Sequence, residues 1–328
     1  MEDLDLIKAC YDGNLVKVKE LIEKGACIDA KDNGDNTALM CALDSGQLEI
    51  AEYLIEKGAN INAQNVNDAT ALLIASSYGH SETVKYLLEK GADINIPNES
   101  KSTALIEASS NGDLGIVKLL LAEVEKGKKV DIDAKDNYGF SALMYASNNK
   151  RIDIAECLIE KGADINTKDK NGWTPLIWAS SYGYLEVVKY LMEKGADINA
   201  KNDGGWTALM YASYNVNLEI VKYLIKNGAD INAKNNNGDT ALMRALIYGN
   251  AEIIICLIKN KADLNIKNKD GKSFLDLIAN DNEVLDLVIG LIDDNEIKKL
   301  LEKAKRNNDL SIVSLAFNKL SNLICNLS

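Results

Sequence analysis

The feature that most constrains this sequence is an internal repeat of 33 residues, which runs through most of its 328 positions. The spacing holds through the first part of the chain, lengthens once to 38 residues, and then returns to 33. The positions in this register are Gly13, Gly46, Gly79, Gly112, Lys150, Gly183, Val216 and Gly249. A period of about 20 to 50 residues is the signature of a protein built from stacked structural units.

The same register carries a short motif, TALM in its commonest form, that opens each unit with a hydroxyl residue. The opening residues are Thr37, Thr70, Thr103, Ser141, Thr174, Thr207, Thr240 and Ser273. Threonine and serine are favoured at helix N-caps, because their side-chain oxygen accepts a hydrogen bond from a free backbone N–H. A divergent copy precedes these eight, so the sequence predicts about nine units.

Each unit reads as two short helices followed by an extended segment and a turn. Thr174 is an N-cap followed by Pro175 at the first helical position, and Gly183 ends that helix. A second amphipathic helix is predicted from about Leu185 to Gly195. Helices this short are marginal alone, so each unit must bury its apolar stripe against the next.

These motifs resemble the ankyrin repeat. The resemblance rests on the Thr-Pro-Leu at 174–176, the Gly-Ala-Asp-Ile-Asn-Ala at 195–200 and the repeated second-helix pattern, and it covers about residues 4–293. One departure is systematic, because an apolar residue replaces the histidine that usually follows Thr-Pro-Leu. The replacements are Met40, Leu73, Ile106, Met144, Ile177, Met210 and Met243. We therefore expect apolar packing where the family usually has a histidine hydrogen bond.

The resemblance implies an all-α solenoid of stacked helix-turn-helix units with short turn fingers. We expect residues 1–33 to form a divergent N-terminal capping repeat and residues 34–293 to form eight repeats, followed by a helical C-terminal cap at 294–328. A cap is the favoured interpretation of 294–328, because a solenoid must cover its last apolar face; a partner-binding tail is the alternative.

Two irregularities interrupt the array. Five extra residues near 122–130 predict a second helix about one turn longer than the others, either as a tolerated surface insertion or as a change in local curvature. In addition, Lys150 and Val216 replace the glycine that ends the first helix. A left-handed conformation is costly for a β-branched residue, so the turn at Val216 should change shape or pass that conformation to Asn215 or Asn217.

Composition excludes several functional classes. A net charge of −12 without a basic cluster argues against nucleic-acid binding. The acidic first residues do not resemble a secretion signal, and no apolar run is long enough to span a membrane. The cysteines have no metal-site spacing, and we expect reduced thiols in a cytoplasmic protein. They are Cys10, Cys27, Cys41, Cys157, Cys256 and Cys325.

Catalytic motifs are also lacking. His80 is the one histidine, so a nucleophile-histidine pair has a single candidate, and its place at the start of a second helix favours a structural role. The DGKS at 270–273 lacks the earlier glycine of a phosphate loop, since Ile266 stands there. The turns DNYG at 136–139 and DKNG at 169–172 lack the spaced carboxylates of a calcium loop. We expect no cofactor, no metal and no enzymatic activity.

Surface recognition remains, and the variable positions of the units indicate where it occurs. In ankyrin proteins these positions are the turn tips and the exposed side of the first helix, which form a concave face. From the fifth unit onward they become aromatic and include all three tryptophans of the chain. The candidate partner-binding residues are Tyr138, Phe140, Tyr145, Trp173, Trp178, Tyr182, Trp206, Tyr211, Tyr214, Arg244 and Tyr248.

Two interpretations of this aromatic face compete. The rings stack on one another and stiffen the array, or they form a contact surface of the Tyr, Trp, Ser and Asn composition typical of paratopes. We favour binding of a protein or extended peptide by repeats five to eight, with the tryptophans as anchors and Arg244 as the charged contact, in a monomer. The alternatives are binding of a small molecule or glycan and a purely structural or oligomerising module.

Overall fold

The computed structural model describes residues 2–278, 282–291, 294–307 and 310–322. Those residues form twenty helices and two isolated β-bridges, without an extended strand. By their internal contacts the residues group into two compact units, Met1–Asp169 and Lys170–Ser328, called unit 1 and unit 2 and described separately. The predicted all-α repeat fold is confirmed within each unit.

Unit 1 consists of five helix pairs. The first helices of successive pairs pack against one another, and the second helices form a parallel row behind them. The helices are α1 (Glu2–Tyr11), α2 (Leu15–Glu23), α3 (Ala38–Asp44), α4 (Leu48–Glu56), α5 (Ala71–Tyr78), α6 (Ser81–Glu89), α7 (Ala104–Asn111), α8 (Leu114–Glu125), α9 (Ala142–Asn148) and α10 (Ile152–Glu160).

Unit 2 repeats this arrangement and ends in two longer helices. Its helices are α11 (Pro175–Ser181), α12 (Leu185–Glu193), α13 (Ala208–Tyr214), α14 (Leu218–Lys226), α15 (Ala241–Leu246), α16 (Ala251–Lys259), α17 (Phe274–Ile278), α18 (Asn282–Leu291), α19 (Asn295–Asn307) and α20 (Leu310–Asn322). Helical structure was predicted in 294–328, and α19 and α20 are found there; residues 323–328, with Cys325, lie outside the described part.

The hydroxyl residues of the repeated motif cap the first helices as predicted. The Thr174 side chain accepts a hydrogen bond from the backbone N–H of Ile177 at 3.3 Å, and Thr207 does the same for Met210 at 3.3 Å. Both hydroxyl residues are almost completely buried. Each cap therefore satisfies a helix-terminal N–H that lies out of reach of water.

The positions that usually hold histidine in this family of folds are packed into the core. All seven replacement residues are buried, and Met144, Ile177 and Met210 have no exposed surface. The expected apolar packing is therefore present. Met40 adds a weak polar contact, since its sulfur lies 3.5 Å from the backbone N–H of Thr37.

The turn fingers are joined from one repeat to the next by main-chain hydrogen bonds. In unit 2, Asp203 N–H donates to the carbonyl of Asn171 at 3.0 Å, and Asn236 N–H donates to that of Gly204 at 2.9 Å. At Gly205, with φ +75°, an added Cβ would lie 2.8 Å from the Asn236 nitrogen. Only glycine lets the two backbones come this close, and this close contact fixes the spacing between the neighbouring finger tips.

The prediction for Val216 was wrong. Val216 itself adopts the left-handed conformation, with φ 66°, whereas Asn215 and Asn217 keep φ values of −91° and −92°. The two asparagines fix the turn in another way: their side-chain amides donate to the carbonyls of Ser181 and Ser180 at 2.9 and 3.0 Å. These bonds to the preceding repeat hold the backbone in a shape that valine alone disfavours.

The five-residue insertion lengthens α8 to 12 residues, whereas the other second helices of unit 1 have nine, as predicted. The extension contains Glu123, whose side chain is only 2% exposed and which is ion-paired with Lys126 and Lys128 at 2.6 Å each. Burial opposes ionisation of Glu123, but the two lysines prevail and its pKa lies below the ordinary value. The Lys128 ammonium also donates to the Leu88 carbonyl at 3.2 Å, which ties the insertion to the preceding repeat.

Candidate functional site

The turn tips of unit 2 place two tryptophans directly before the N-caps. Trp173 precedes Thr174, and Trp206 precedes Thr207. The Asn202 side chain accepts from the backbone N–H of Trp206 at 2.9 Å, and the Asn202 N–H donates to the Trp206 carbonyl at 3.1 Å. The tip is thus a closed loop, which fixes the position of the indole.

The helix residues of the same repeat continue the aromatic row. Trp178 lies within α11 and stacks on Trp173, with ring centroids 4.2 Å apart. Tyr182 is four residues later, on the same side of the helix, and is nearly parallel to Trp178 at 6.0 Å. Tyr184 adds a further stacked ring, 5.9 Å from Tyr182.

The row extends through the next two repeats. Tyr211 in α13 lies between the two tip tryptophans, 4.3 Å from Trp173 and 4.7 Å from Trp206. Trp206 meets Tyr214 edge to face at 5.7 Å, and Tyr214 meets Tyr248 at 5.0 Å with their hydroxyls 3.3 Å apart. We call this continuous set the aromatic ladder; its members are Trp173, Trp178, Tyr182, Tyr184, Trp206, Tyr211, Tyr214 and Tyr248.

Polar side chains beneath the rings hold the ladder in place. The Tyr211 hydroxyl accepts from the Asn202 amide at 3.0 Å. The Arg244 guanidinium lies 4.6 Å from the centre of the Trp206 ring and is ion-paired with Asp239. Since the Arg244 side chain is only 16% exposed and its charge is already paired, it supports the ladder from below.

Exposure divides the ladder into a supported base and an outer edge. Its three tryptophans, with Tyr184, Tyr211 and Tyr214, are half-buried. Tyr182 and Tyr248 are 54% and 61% exposed, and Ile247 beside Tyr248 is 54% exposed. The stacking interpretation describes the base of the ladder, where the rings support one another. The contact interpretation stays a prediction for the outer edge, which is exposed to solvent.

The other three candidate residues lie together in unit 1. Tyr138 is at a turn tip and 72% exposed, while the Phe140 and Tyr145 rings are 5.0 Å apart. The Tyr145 hydroxyl donates to the buried carboxylate of Asp136 at 2.7 Å. Burial, the hydrogen bond to Asp136 and the charge of Asp136 together raise the pKa of Tyr145.

Sequence reasoning missed three residues of this region. Tyr184 occupies the N-cap of a second helix, a position outside the tips and first helices that were compared. Asn202 and Asp239 were not among the candidate residues, yet their side chains bind Tyr211 and Arg244. The signal was available for Asn202, because a side-chain amide or carboxylate recurs at that register position in Asp136, Asn202 and Asn235.

The described residues contain neither a metal-binding cluster nor a membrane-spanning helix. Across the described residues, histidine, cysteine and carboxylate side chains do not gather in groups of three or more that could hold a metal ion. Cys10, Cys27, Cys41, Cys157 and Cys256 are free thiols. Within the same residues, no helix combines the length and apolar character that crossing a bilayer requires.

Comparison with known proteins identifies the repeat. A family model described as ankyrin repeats in three copies matches residues 5–65, 60–136, 124–202, 166–235 and 209–303. The chain belongs to the ankyrin repeat family. A search of curated proteins gave no match. Ankyrin repeats generally mediate protein–protein interactions and typically act as scaffolds without enzymatic activity.

The ankyrin assignment separates scaffold from surface in this chain. Buried leucines and alanines of the first helices, such as Leu176, Ala179 and Leu209, belong to the packing that every repeat needs. Apart from Tyr184, the ladder residues occupy tip and first-helix positions that vary from one repeat of this sequence to the next. The ladder is therefore the part of unit 2 that the fold alone does not explain.

Proposed function

We propose that this ankyrin protein binds a protein or extended peptide through the aromatic ladder of unit 2, without catalysis, as a cytoplasmic monomer. The observation that carries the proposal is a row of rigid rings whose edges remain exposed at Tyr182 and Tyr248. Rings fixed by stacking lose little conformational freedom on binding, and Tyr and Trp are the residues most enriched at binding hot spots.

The geometry favours an extended ligand over an inserted small molecule. Rings such as Trp173, Trp178 and Tyr211 already touch at 4.2 to 4.3 Å, so a sugar or flat heterocycle cannot enter between them. A ligand must lie across the outer edges. A chain that follows the ladder from Tyr182 to Tyr248 contacts the first helices of three successive repeats.

The tryptophans supply a site-specific probe. All three tryptophans of the protein belong to the ladder, so intrinsic tryptophan emission reports on this surface alone. Peptides selected from a displayed library against the full chain are titrated while that emission is recorded. We expect selected peptides to shift the emission as they bind.

The test variant should change the ladder edge and leave its base intact. Tyr182→Ser/Tyr248→Ser removes the two most exposed rings, and Val16→Ser/Val66→Ser, exposed in unit 1, is the matched control. Loss of two hot-spot side chains should weaken binding at least about 10-fold, while the control stays at the wild-type value. Binding that leaves the emission unchanged and is equal in both variants would show that the ladder is not the site.

We also propose that residues 1–33 and 294–328 are the end caps of the array, with eight repeats in 34–293. Two facts support the C-terminal cap: α20 packs against α16 and α17, and the fully buried Phe317 meets Phe274 at 6.0 Å. Deleting 294–328 should uncover Phe274 and lower the melting temperature. A truncated chain that melts at the wild-type temperature and stays monomeric would contradict the cap.

A further inference from the structure

Unit 1 contains a half-open cavity of about 380 Å³ between the turn tips and the first helices α1, α3 and α5. It occupies the register positions that carry the ladder rings in unit 2. Asn36 and Ala69 stand where Trp173 and Trp206 stand, and Cys41 stands where Trp178 stands. The smaller side chains leave open the space that the ladder fills.

The cavity is negative in character. Asp44 at the end of α3 and Glu99 at a turn tip line it, and its lining residues include no lysine, arginine or histidine. His80 lies outside the lining, with its ring 6.0 Å from that of Tyr78. Neither carboxylate forms an ion pair or a hydrogen bond with another described residue. Two carboxylates on the lining of one cavity, without a cationic residue in that lining, attract a cation from outside the chain.

Two tyrosines complete the lining. Tyr78 is 67% exposed, and Tyr11 is 41% exposed. Interaction with the buried Cys41 thiol, burial and nearby carboxylates, including Asp44, raise the pKa of Tyr11. Tyrosine rings beside carboxylates are a favourable environment for an alkylammonium or guanidinium group.

The rim has further polar groups suited to a peptide. The Asn67 side-chain amide and the Ser100 hydroxyl line the cavity and make no hydrogen bond to other described residues. An amide and a hydroxyl at the edge of a charged pocket complement the backbone groups on either side of an inserted side chain. The volume lies near the lower end of the range of about 300 to 1,000 Å³ seen for ligand pockets, which suits a single side chain and its flanking backbone.

We propose that this cavity binds a lysine or arginine side chain of a partner polypeptide, with Asp44 and Glu99 pairing the cation and Tyr11 and Tyr78 flanking it. The site is separate from the aromatic ladder and lies in the other unit. Its occupation does not depend on the function proposed for the ladder.

The test uses the full chain and three probes. They are the pentapeptide acetyl-Gly-Gly-Lys-Gly-Gly-amide, the same peptide with norleucine in place of lysine, and spermidine. Binding is measured by calorimetry and by ligand-observed NMR. The lysine peptide should bind at least about 10-fold more tightly than the norleucine peptide, and its affinity should fall as salt rises from about 50 to 500 mM.

Variants locate the site. Asp44→Asn/Glu99→Gln should weaken binding of the lysine peptide at least about 10-fold, since the double substitution removes both charges. Glu89→Gln/Glu160→Gln removes two exposed charges outside the cavity and should bind as the wild type does. Tyr78→Leu should weaken binding several-fold. Tryptophan emission should not change, and Tyr182→Ser/Tyr248→Ser should bind normally, which separates this result from the fate of the ladder proposal.

Three outcomes overturn the proposal. The first is no binding of the lysine peptide up to about 10 mM, and the second is equal binding of the norleucine peptide. The third is that spermidine binds more tightly than the lysine peptide with the same dependence on Asp44 and Glu99, which assigns the cavity to a free polyamine. The substituted carboxylates lie at the surface, and thermal melting of each variant confirms that it is folded.

Discussion

The guanidinium of Arg244 lies 4.6 Å from the centre of the Trp206 ring and is ion-paired with Asp239. This arrangement makes a charged residue part of the support beneath an aromatic surface. It also explains why an arginine occurs at a position that carries aromatic rings in the three preceding repeats, at Tyr145, Trp178 and Tyr211. The planar guanidinium stacks as a ring does while its edge binds a carboxylate.

Replacing Arg244 with lysine should therefore be costly although the charge is kept. An ammonium group cannot stack on the indole and pair with Asp239 in the same planar geometry. We expect a loss of about 1 to 2 kcal/mol in unfolding free energy, measured by urea denaturation, and a shift in tryptophan emission. Lys222→Arg on the outer face of α14 is the control; equal stability of Arg244→Lys and wild type would contradict a stacking role.

The contact between Trp173 and Tyr211 should show measurable coupling. Their rings are 4.3 Å apart and belong to consecutive repeats. A double-mutant cycle with Trp173→Leu and Tyr211→Leu should give a coupling energy of about 0.5 to 1.5 kcal/mol, because aromatic pairs contribute that much beyond burial. Tyr211→Leu also loses the hydrogen bond from Asn202. That cost occurs in the single and in the double variant, so it cancels in the cycle. A coupling energy of zero would mean that the contact between the two rings does not stabilise the protein.

Val216→Gly should stabilise unit 2. Valine at φ 66° strains the backbone, and glycine removes that cost, for an expected gain on the order of 1 kcal/mol in urea denaturation. The opposite change at the equivalent turn, Gly183→Ala, should destabilise, since the new Cβ would lie 2.6 Å from the Asn217 side-chain oxygen at φ +80°. If both substitutions stabilise the protein, or both destabilise it, this account of the turn is wrong.

Glu123 should make unit 1 sensitive to acid. Its pKa is lower in the folded chain than the ordinary value of 4.5, so its ion pairs contribute stability above that value. That contribution is lost as pH falls below about 4.5 and through the lower folded pKa. Glu123→Gln should cost about 1 to 2 kcal/mol at pH 7 and less near pH 3, as measured by denaturation at both values. Glu160→Gln, at an exposed glutamate of unit 1 that forms no ion pair with another described residue, serves as control; a loss for Glu123→Gln that does not change with pH would exclude the ionised pair as its cause.

Much of the architecture could be predicted, because the signals are local. Hydroxyl N-caps such as Thr174, the glycine turn at Gly183 and the longer helix α8 follow from residues within one repeat. The turn at Val216 could not be predicted from propensity. Its conformation is held by Asn215 and Asn217, which bond to carbonyls of the preceding repeat and override the preference of valine.

The candidate residues illustrate the same limit. Sequence reasoning selected the ladder positions but treated Arg244 as an outward contact and omitted Tyr184. It also passed over the polar positions of repeats two to four, which border the acidic cavity. A cavity is space that the neighbouring side chains leave unfilled, and no sequence motif marks such a space.

The sequence by itself determined the repeat, its helices and caps, and the positions left free for a surface, since each depends on spacing along a single chain segment. Only the tertiary structure decided which rings stack, how the charge of Arg244 is satisfied and where Asn36, Cys41 and Ala69 leave a pocket. Several of those contacts join residues of neighbouring repeats, as between Trp173 and Tyr211 and between Tyr214 and Tyr248. They depend on how closely one repeat packs on the next, a distance set by the buried core and the hydrogen-bonded finger tips of the whole stack.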